Sequence, residues 1–424
     1  MTEELLHHLW KFRLFNQIEL LTTTGETIEV INVGDHNHHA GPDFFNSKIK
    51  MDKTLWAGNV EVHLRASDWN KHTHQKDKSY DNIILHVVYE SDIPVYRASG
   101  ELIPTLELKT RVDPAHYKNY QRFTSSKDWV PCEKQIPEVP PIVFHTTLNR
   151  LLIERLEEKF NTIMTTLHLN KMNWEETFYQ SLAKNFGFKT NAVPFELLAK
   201  SIPTVILGKH KSSLLQLEAL LFGQAGFLEQ HFKDRYPQQL QNEYVFLKRK
   251  FKLTSLENHL WKFLRLRPVN FPTIRIAQFA QLIYQSTHLF SKVIAAEELI
   301  QLKEMLRTDV STYWGTHYLF EKKGRSKNKK LGEDSIGNII INTIVPFLFV
   351  YGKSKGDELY IERALNFLEK LDGEANSIIT SWSNLNVPVK TAADTQALLQ
   401  LKNKYCDHKK CLQCPIGNYL LKKV

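Results

Sequence analysis

Gly41-Pro42-Asp43-Phe44-Phe45 and Trp56-Ala57-Gly58-Asn59-Val60-Glu61-Val62-His63-Leu64 decide how the first third of the chain reads. Each is a strand by composition, and an acid follows a proline at the start of the first. Residues two apart on a strand point to one face. Glu61 and His63 therefore share a face with Asn59 and Arg65, while Val60, Val62 and Leu64 cover the other. If the strands pair, Asp43 reaches the Glu61 carboxylate. Two carboxylates converging on one point suit a hard cation, which takes oxygen ligands.

The chain has 424 residues, 42% hydrophobic and 24% charged, which is ordinary for a globular protein with two or three domains. Its 11% aromatic content excludes a disordered chain. The net charge of +9 is uneven: residues 1–130 hold 15 Lys/Arg against 18 Asp/Glu, and residues 131–424 hold 40 against 28. A polyanion gripped by the second part and acted on by the first fits this division; a solvated basic surface is the plainer alternative. Residues 336–351 are the most apolar run, but Asn338, Asn342 and Pro346 interrupt it and it falls short of the ~18 residues of a membrane span. The first five residues carry two acids, unlike a signal peptide. Four cysteines make no disulfide framework. The expectation is a cytoplasmic protein with no membrane partner.

In order, the pattern predicts a helix over 3–15 capped by Thr2, strands over 26–33, 43–51 and 55–65, and a short helix from Ser67. A strand buried on both faces follows at 82–89, then a hairpin of 94–97 with 102–109, then a helix over 113–123. Prolines 131, 137, 140 and 141 mark a linker. The domains predicted are 1–130 (α/β), 131–141 (linker) and 142–424 (mostly helical). The second domain carries a loop, 322–330, with six basic residues in nine.

The order helix, three strands, helix, strand, with Pro42-Asp43 on one strand and Glu61-Val62-His63 on the next, resembles the PD-(D/E)XK (restriction-endonuclease-like) nuclease superfamily over roughly residues 1–95. The departure is His63 where that family has lysine. The resemblance implies an αβββαβ core in which Asp43 and Glu61 bind Mg²⁺ or Mn²⁺ and His63 orients or deprotonates a water. Many members add an acid from the first helix, here Glu4, with Glu3 close behind. The implied activity is metal-dependent cleavage of DNA, or of RNA; separately, the basic sets of the second domain offer Arg265, Arg267, Arg275, Lys322, Lys323 and Arg325 as phosphate contacts. Loss of the lysine equally marks a nuclease-fold scaffold that binds nucleic acid without cutting it.

Seven of the eighteen histidines lie in residues 36–86: His36, His38, His39, His63, His72, His74 and His86. Imidazole suits Zn²⁺, Mn²⁺ and Fe²⁺. A third reading is therefore a His-rich metallo-hydrolase of small substrates. Tyr80 follows Gln75 at one residue more than the Gln-x-x-x-Tyr spacing of some nucleases, and no role is carried over to either.

Three of the four cysteines, Cys406, Cys411 and Cys414, fall within nine residues, and Cys132 sits in the linker. Cys-x4-Cys-x2-Cys is metal-ligand spacing, and Cys132 or His408 completes a set for zinc or an iron–sulfur cluster; unligated thiols are the alternative. Certain nucleases of the same superfamily have a similar layout, one distant cysteine with three C-terminal ones. The whole chain also resembles an uncharacterised bacterial protein family, through Ala40-Gly41-Pro42-Asp43-Phe44, Trp56 to His63, Tyr80 to Val88, Phe271-Pro272-Thr273-Ile274-Arg275 and the Cys-x2-Cys-Pro-Ile-Gly ending.

Overall fold

The structure, a computed structural model, describes residues 1–37, 39–286 and 288–423. The chain forms two compact units, Met1–Thr147 with Gln400–Val424, and Leu148–Leu399. The first unit thus continues past the expected linker and takes back the end of the chain, cysteines included.

Helix α1 (Glu3–Lys11) begins where Thr2 accepts the Leu5 N–H, with Glu3 and Glu4 in the first turn, where acids favour the helix dipole. Leu5, Leu6, Leu9 and Trp10 are buried. Each contributes roughly 1.5–3 kcal/mol by leaving water. The helix is shorter than the apolar pattern predicts, because Arg13 turns left-handed (φ 53°).

Strands β1 (Ile28–Asn32), β2 (Asp35–His36), β3 (Phe44–Met51), β4 (Thr54–Arg65), β5 (Ile83–Glu90) and β6 (Thr105–Glu107) make one mixed sheet in the order β1-β3-β4-β5-β6, with β2 also on β3. The pairs β1/β3 and β3/β4 are antiparallel; β4/β5 and β5/β6 are parallel. Close approach of β5 to β4 requires Gly58: a Cβ there would lie 2.4 Å from Ile84 Cγ2 and 2.8 Å from Asn82 O. Between β4 and β5 lie the short helix α2 (Asp68–Lys71) and two 3-10 turns, His74–Lys76 and Lys78–Tyr80. Helix α3 (Pro114–Ser125) follows β6, its start capped by Asp113, which accepts the Ala115 N–H.

The expected hairpin is reduced to a single bridge, Tyr96 with Leu102, and residues 105–107 pair in parallel with β5 instead. Pro94 and Pro104 lack the N–H that a hairpin ladder needs. Leu106 is fully buried in its place beside β5.

The second unit is helical. Leu214–Gln224 and Pro272–Gln285 are apolar nearly all round and buried accordingly. Phe178, Phe186, Phe195, Phe279 and Phe347 are among its largest fully buried side chains. Glu333–Lys355 is the described helix long and apolar enough to cross a membrane, and most of its apolar window is buried inside the protein.

Candidate metal centre

Phe44 pairs with Val60 across β3 and β4, which sets Asp43 opposite Glu61. The Asp43 N–H donates to Glu61 Oε2 at 3.2 Å, and the Val62 N–H donates to Asp43 Oδ2 at 3.0 Å. Asp43 Oδ2 also lies 3.2 Å from Nε2 of His7 on α1, near enough for charges to pair but off the line of a hydrogen bond.

The other Glu61 oxygen faces histidines. Oε1 is 3.3 Å from His74 Nε2 and 3.6 Å from His63 Nε2. His63 Nε2 is in turn 3.1 Å from His72 Nδ1. Ligand atoms of His63, His72 and His74 all lie within 4.8 Å of one another. On the far side, His63 Nδ1 lies 2.8 Å from His86 Nε2. The parallel register of β4 and β5 makes this contact, because it pairs Glu61 with His86 and so puts both on the His63 face.

His72 ends α2 and His74 opens the next turn, with Thr73 between them left-handed (φ 60°, ψ 28°). A β-branched residue rarely adopts that conformation, and here it turns the His74 imidazole to Glu61 and the His72 imidazole to His63. Tyr80 stacks on His74 with ring centroids 3.8 Å apart, and Trp69 meets the same ring edge-on at 5.3 Å. Trp69 belongs to an apolar cluster with Ala66, Ile83, Val88, Val95 and Ile103, with Tyr80 packed against it. The imidazole that faces Glu61 is thereby braced on a dry wall.

Glu61 is 4% exposed and His63 1%, whereas His72 is exposed. Burial and then the Asp43 charge push the Glu61 pKa up to about 9. Burial and the neighbouring imidazoles hold His63 down to about 2 and His86 to about 3. Burial also lowers His74. Burial pulls His7 the same way, but Asp43 and Glu3 outweigh it and raise the pKa. His63 and His74 therefore favour the neutral form, which binds metal. One carboxylate with three imidazoles suits Zn²⁺, Mn²⁺ or Fe²⁺ better than Mg²⁺, which prefers oxygen throughout. A cation at His63 Nε2 would leave the proton on Nδ1, donated to His86.

Asp43, Glu61 and His63 thus come together. Glu4 does not join them: it is exposed, and its charge is felt at Tyr120 and Cys411. Glu3 lies about 100° around the helix, and its charge interacts with His7, Asp43 and His72. His7 was missed, although Glu3-x3-His7 is the spacing of one helix face. His36 stacks on Phe44 at 4.8 Å and meets His7 edge-on. His39 is exposed, and His38 lies outside the described residues.

Arg265, Arg267, Lys322, Lys323 and Arg325 are exposed in the second unit. Arg275 is not available as a phosphate contact in this structure. It is 6% exposed, donates to Gln278, Asn270 and Ser335, and lies 4.5 Å over the Phe188 ring. It braces the buried helix that carries it.

No curated protein and no solved structure matches the chain significantly. Residues 3–377 match the model of the family described as protein of unknown function DUF2851. The chain belongs to the DUF2851 family.

Proposed function

We propose that this chain is a hydrolase working with a divalent transition metal held by Glu61, His63, His72 and His74, and that it cleaves phosphodiester bonds of nucleic acid, DNA before RNA. The observation that carries the reading is the convergence on Glu61 Oε1 of two imidazole nitrogens, at 3.3 and 3.6 Å, with His72 beside them. A cation bound there supplies Lewis-acid polarisation and water activation.

The protein's own groups divide the remaining work. With Nδ1 committed to His86, His63 would give Nε2 to the cation, so it serves as a ligand rather than as a base. His7, raised in pKa beside Asp43 and Glu3, is the group placed to carry a proton. Asp43, fixed by the Val62 N–H, holds the charge that keeps His7 in place. The strand order β1-β3-β4-β5, with the acid–x–histidine on β4, supports a nuclease-like reading. The exposed Lys322, Lys323 and Arg325 support a polyanionic substrate.

The depth of Glu61 and His63 favours a second reading, a structural metal in a nucleic-acid-binding scaffold. Labelled single- and double-stranded DNA, incubated with the protein in Mn²⁺ and in Zn²⁺ beside Glu61→Gln, separates the two. Cleavage lost in the variant supports the hydrolase. Binding without cleavage in either metal supports the scaffold. Cleavage equal in wild type and variant refutes the site.

A further inference from the structure

We infer a second metal centre, a four-thiolate site made by Cys132, Cys406, Cys411 and Cys414, that fastens the end of the chain to the unit containing the sheet. These are all the cysteines of the chain, and all four are free of disulfides. The first unit contains every one of them, although Cys132 and Cys406 are separated by most of the helical unit's sequence.

Backbone contacts bring the segments together. Lys402 Nζ donates to Trp129 O at 3.0 Å and lies 5.0 Å over the Trp129 ring. Lys409 Nζ donates to Thr124 O. The C-terminal segment is thus laid along the stretch that leads to Cys132, which itself precedes the 3-10 turn Glu133–Glu138. Cys406 ends a widened, π-helical turn, Leu401–Cys406, a form that recurs at functional sites. Lys409 then turns left-handed (φ 52°). The Cys414 N–H donates to Cys411 O at 3.3 Å, closing a tight Cys-x2-Cys turn before the last helix, Pro415–Lys422. Gly417 is the residue that lets this turn lie against the helix: a Cβ there would be 2.2 Å from Cys411 O.

Burial is the main reason the Cys132, Cys406 and Cys411 thiols resist ionisation, and neighbouring thiols add to it. After burial, Cys414 and Cys411 act against Cys132, and Cys414, Cys132 and Cys411 act against Cys406. Cys411 and Cys414 are each 7% exposed. Two buried and two half-buried thiols on adjoining segments form a soft donor set with no charge of its own. A thiophilic cation reverses this by deprotonating them, and Lys402 and Lys409 already favour the thiolates of Cys406 and Cys411. Zinc and an iron–sulfur cluster share this ligand chemistry.

The test uses the full chain, purified anaerobically without chelator. Metal and sulfide are quantified, visible absorbance is recorded, and native thiols are titrated before and after metal removal. The expected result is a stoichiometric centre. Colourless protein with zinc identifies one source, and charge-transfer absorbance with iron and sulfide the other. The thiols should react slowly until the metal is removed. The thiol-protecting equivalent of metal should survive His72→Ala/His74→Ala and be lost in Cys411→Ser/Cys414→Ser. Thiols of wild type that all react at once, with no bound metal, would overturn the proposal without recourse to any variant. So would a content that the serine pair leaves unchanged.

Discussion

Asp43 and Glu61 grip each other through backbone, not carboxylate to carboxylate: Glu61 Oε2 takes the Asp43 N–H at 3.2 Å, and Asp43 Oδ2 takes the Val62 N–H at 3.0 Å. One oxygen of Glu61 is thereby spent on holding two strands together, and Oε1 is left for the imidazoles. Glu61→Gln keeps an oxygen for the Asp43 N–H and removes the charge. Cation affinity by titration calorimetry should fall at least about a hundredfold, the upper range for losing even an outer-shell partner. The melting temperature of the metal-free protein should hold or rise, since a buried ionisable group has gone.

Metal uptake should be coupled to pH. Glu61, at about 9, is protonated in the metal-free protein at neutral pH and must release that proton to bind. His63 and His86, at about 2 and about 3, are already neutral. Affinity should therefore rise about tenfold per pH unit toward 9 and then level off. Stability of the metal-free protein follows the same groups. Between 4.5 and about 9 the folded state keeps a Glu61 proton that the unfolded chain releases, so this contribution falls as pH rises. Between about 3 and 6.5 the unfolded chain protonates histidines that the folded site keeps bare, so theirs rises. Metal-free protein should lose melting temperature from pH 7 to 9, and saturating metal should cancel the loss. A flat profile without metal would contradict the Glu61 assignment.

Thr73 holds a left-handed backbone between two ligands. That conformation costs a β-branched residue about 1–2 kcal/mol. Thr73→Gly should raise stability of the metal-free protein by up to about 1 kcal/mol in denaturant titrations, the gain being reduced by glycine's greater freedom when unfolded. Cation affinity should drop, because the turn no longer presets both rings. Unchanged affinity would mean that the strain serves no ligand.

The first helix separates two adjacent acids. Glu3→Gln should lower the pKa of His7, read by NMR titration, because Glu3 helps to hold it up. Glu4→Gln should leave His7 and cation uptake where they were.

Arg275 and Arg325 should likewise behave differently. Arg275→Met leaves buried Gln278 and half-buried Asn270 and Ser335 without its hydrogen bonds and should destabilise the fold by about 1.5–3 kcal/mol. Arg325→Ala should leave the melting temperature unchanged and reduce the salt slope of DNA binding by about 1.

Period-two reasoning was enough to put Glu61 and His63 on one face and Asp43 beside them, since strand faces are fixed by parity alone. It was not enough for His7, whose partner Asp43 is distant in sequence and reached only once α1 packs on β4. His72 and His74 were visible as a crowd of histidines, but their convergence depends on one left-handed threonine that no pattern announces. Glu3 and Glu4 differ by one residue, a step that decides which side of the helix faces the site, and the wide apolar stripe of the first helix leaves that phase open. The hairpin at 94–109 failed on prolines, and β6 found β5 through a parallel pairing that local sequence does not encode.

The most direct test is anomalous diffraction from crystals grown with Zn²⁺ or Mn²⁺, recorded at the metal's absorption edge. A peak about 2.0–2.2 Å from Glu61 Oε1 and from imidazole nitrogens of His63, His72 and His74 is the predicted result. Full occupancy of the Cys132/Cys406/Cys411/Cys414 site with no peak at Glu61, or a peak bridging only the Asp43 and Glu61 carboxylates, would contradict it.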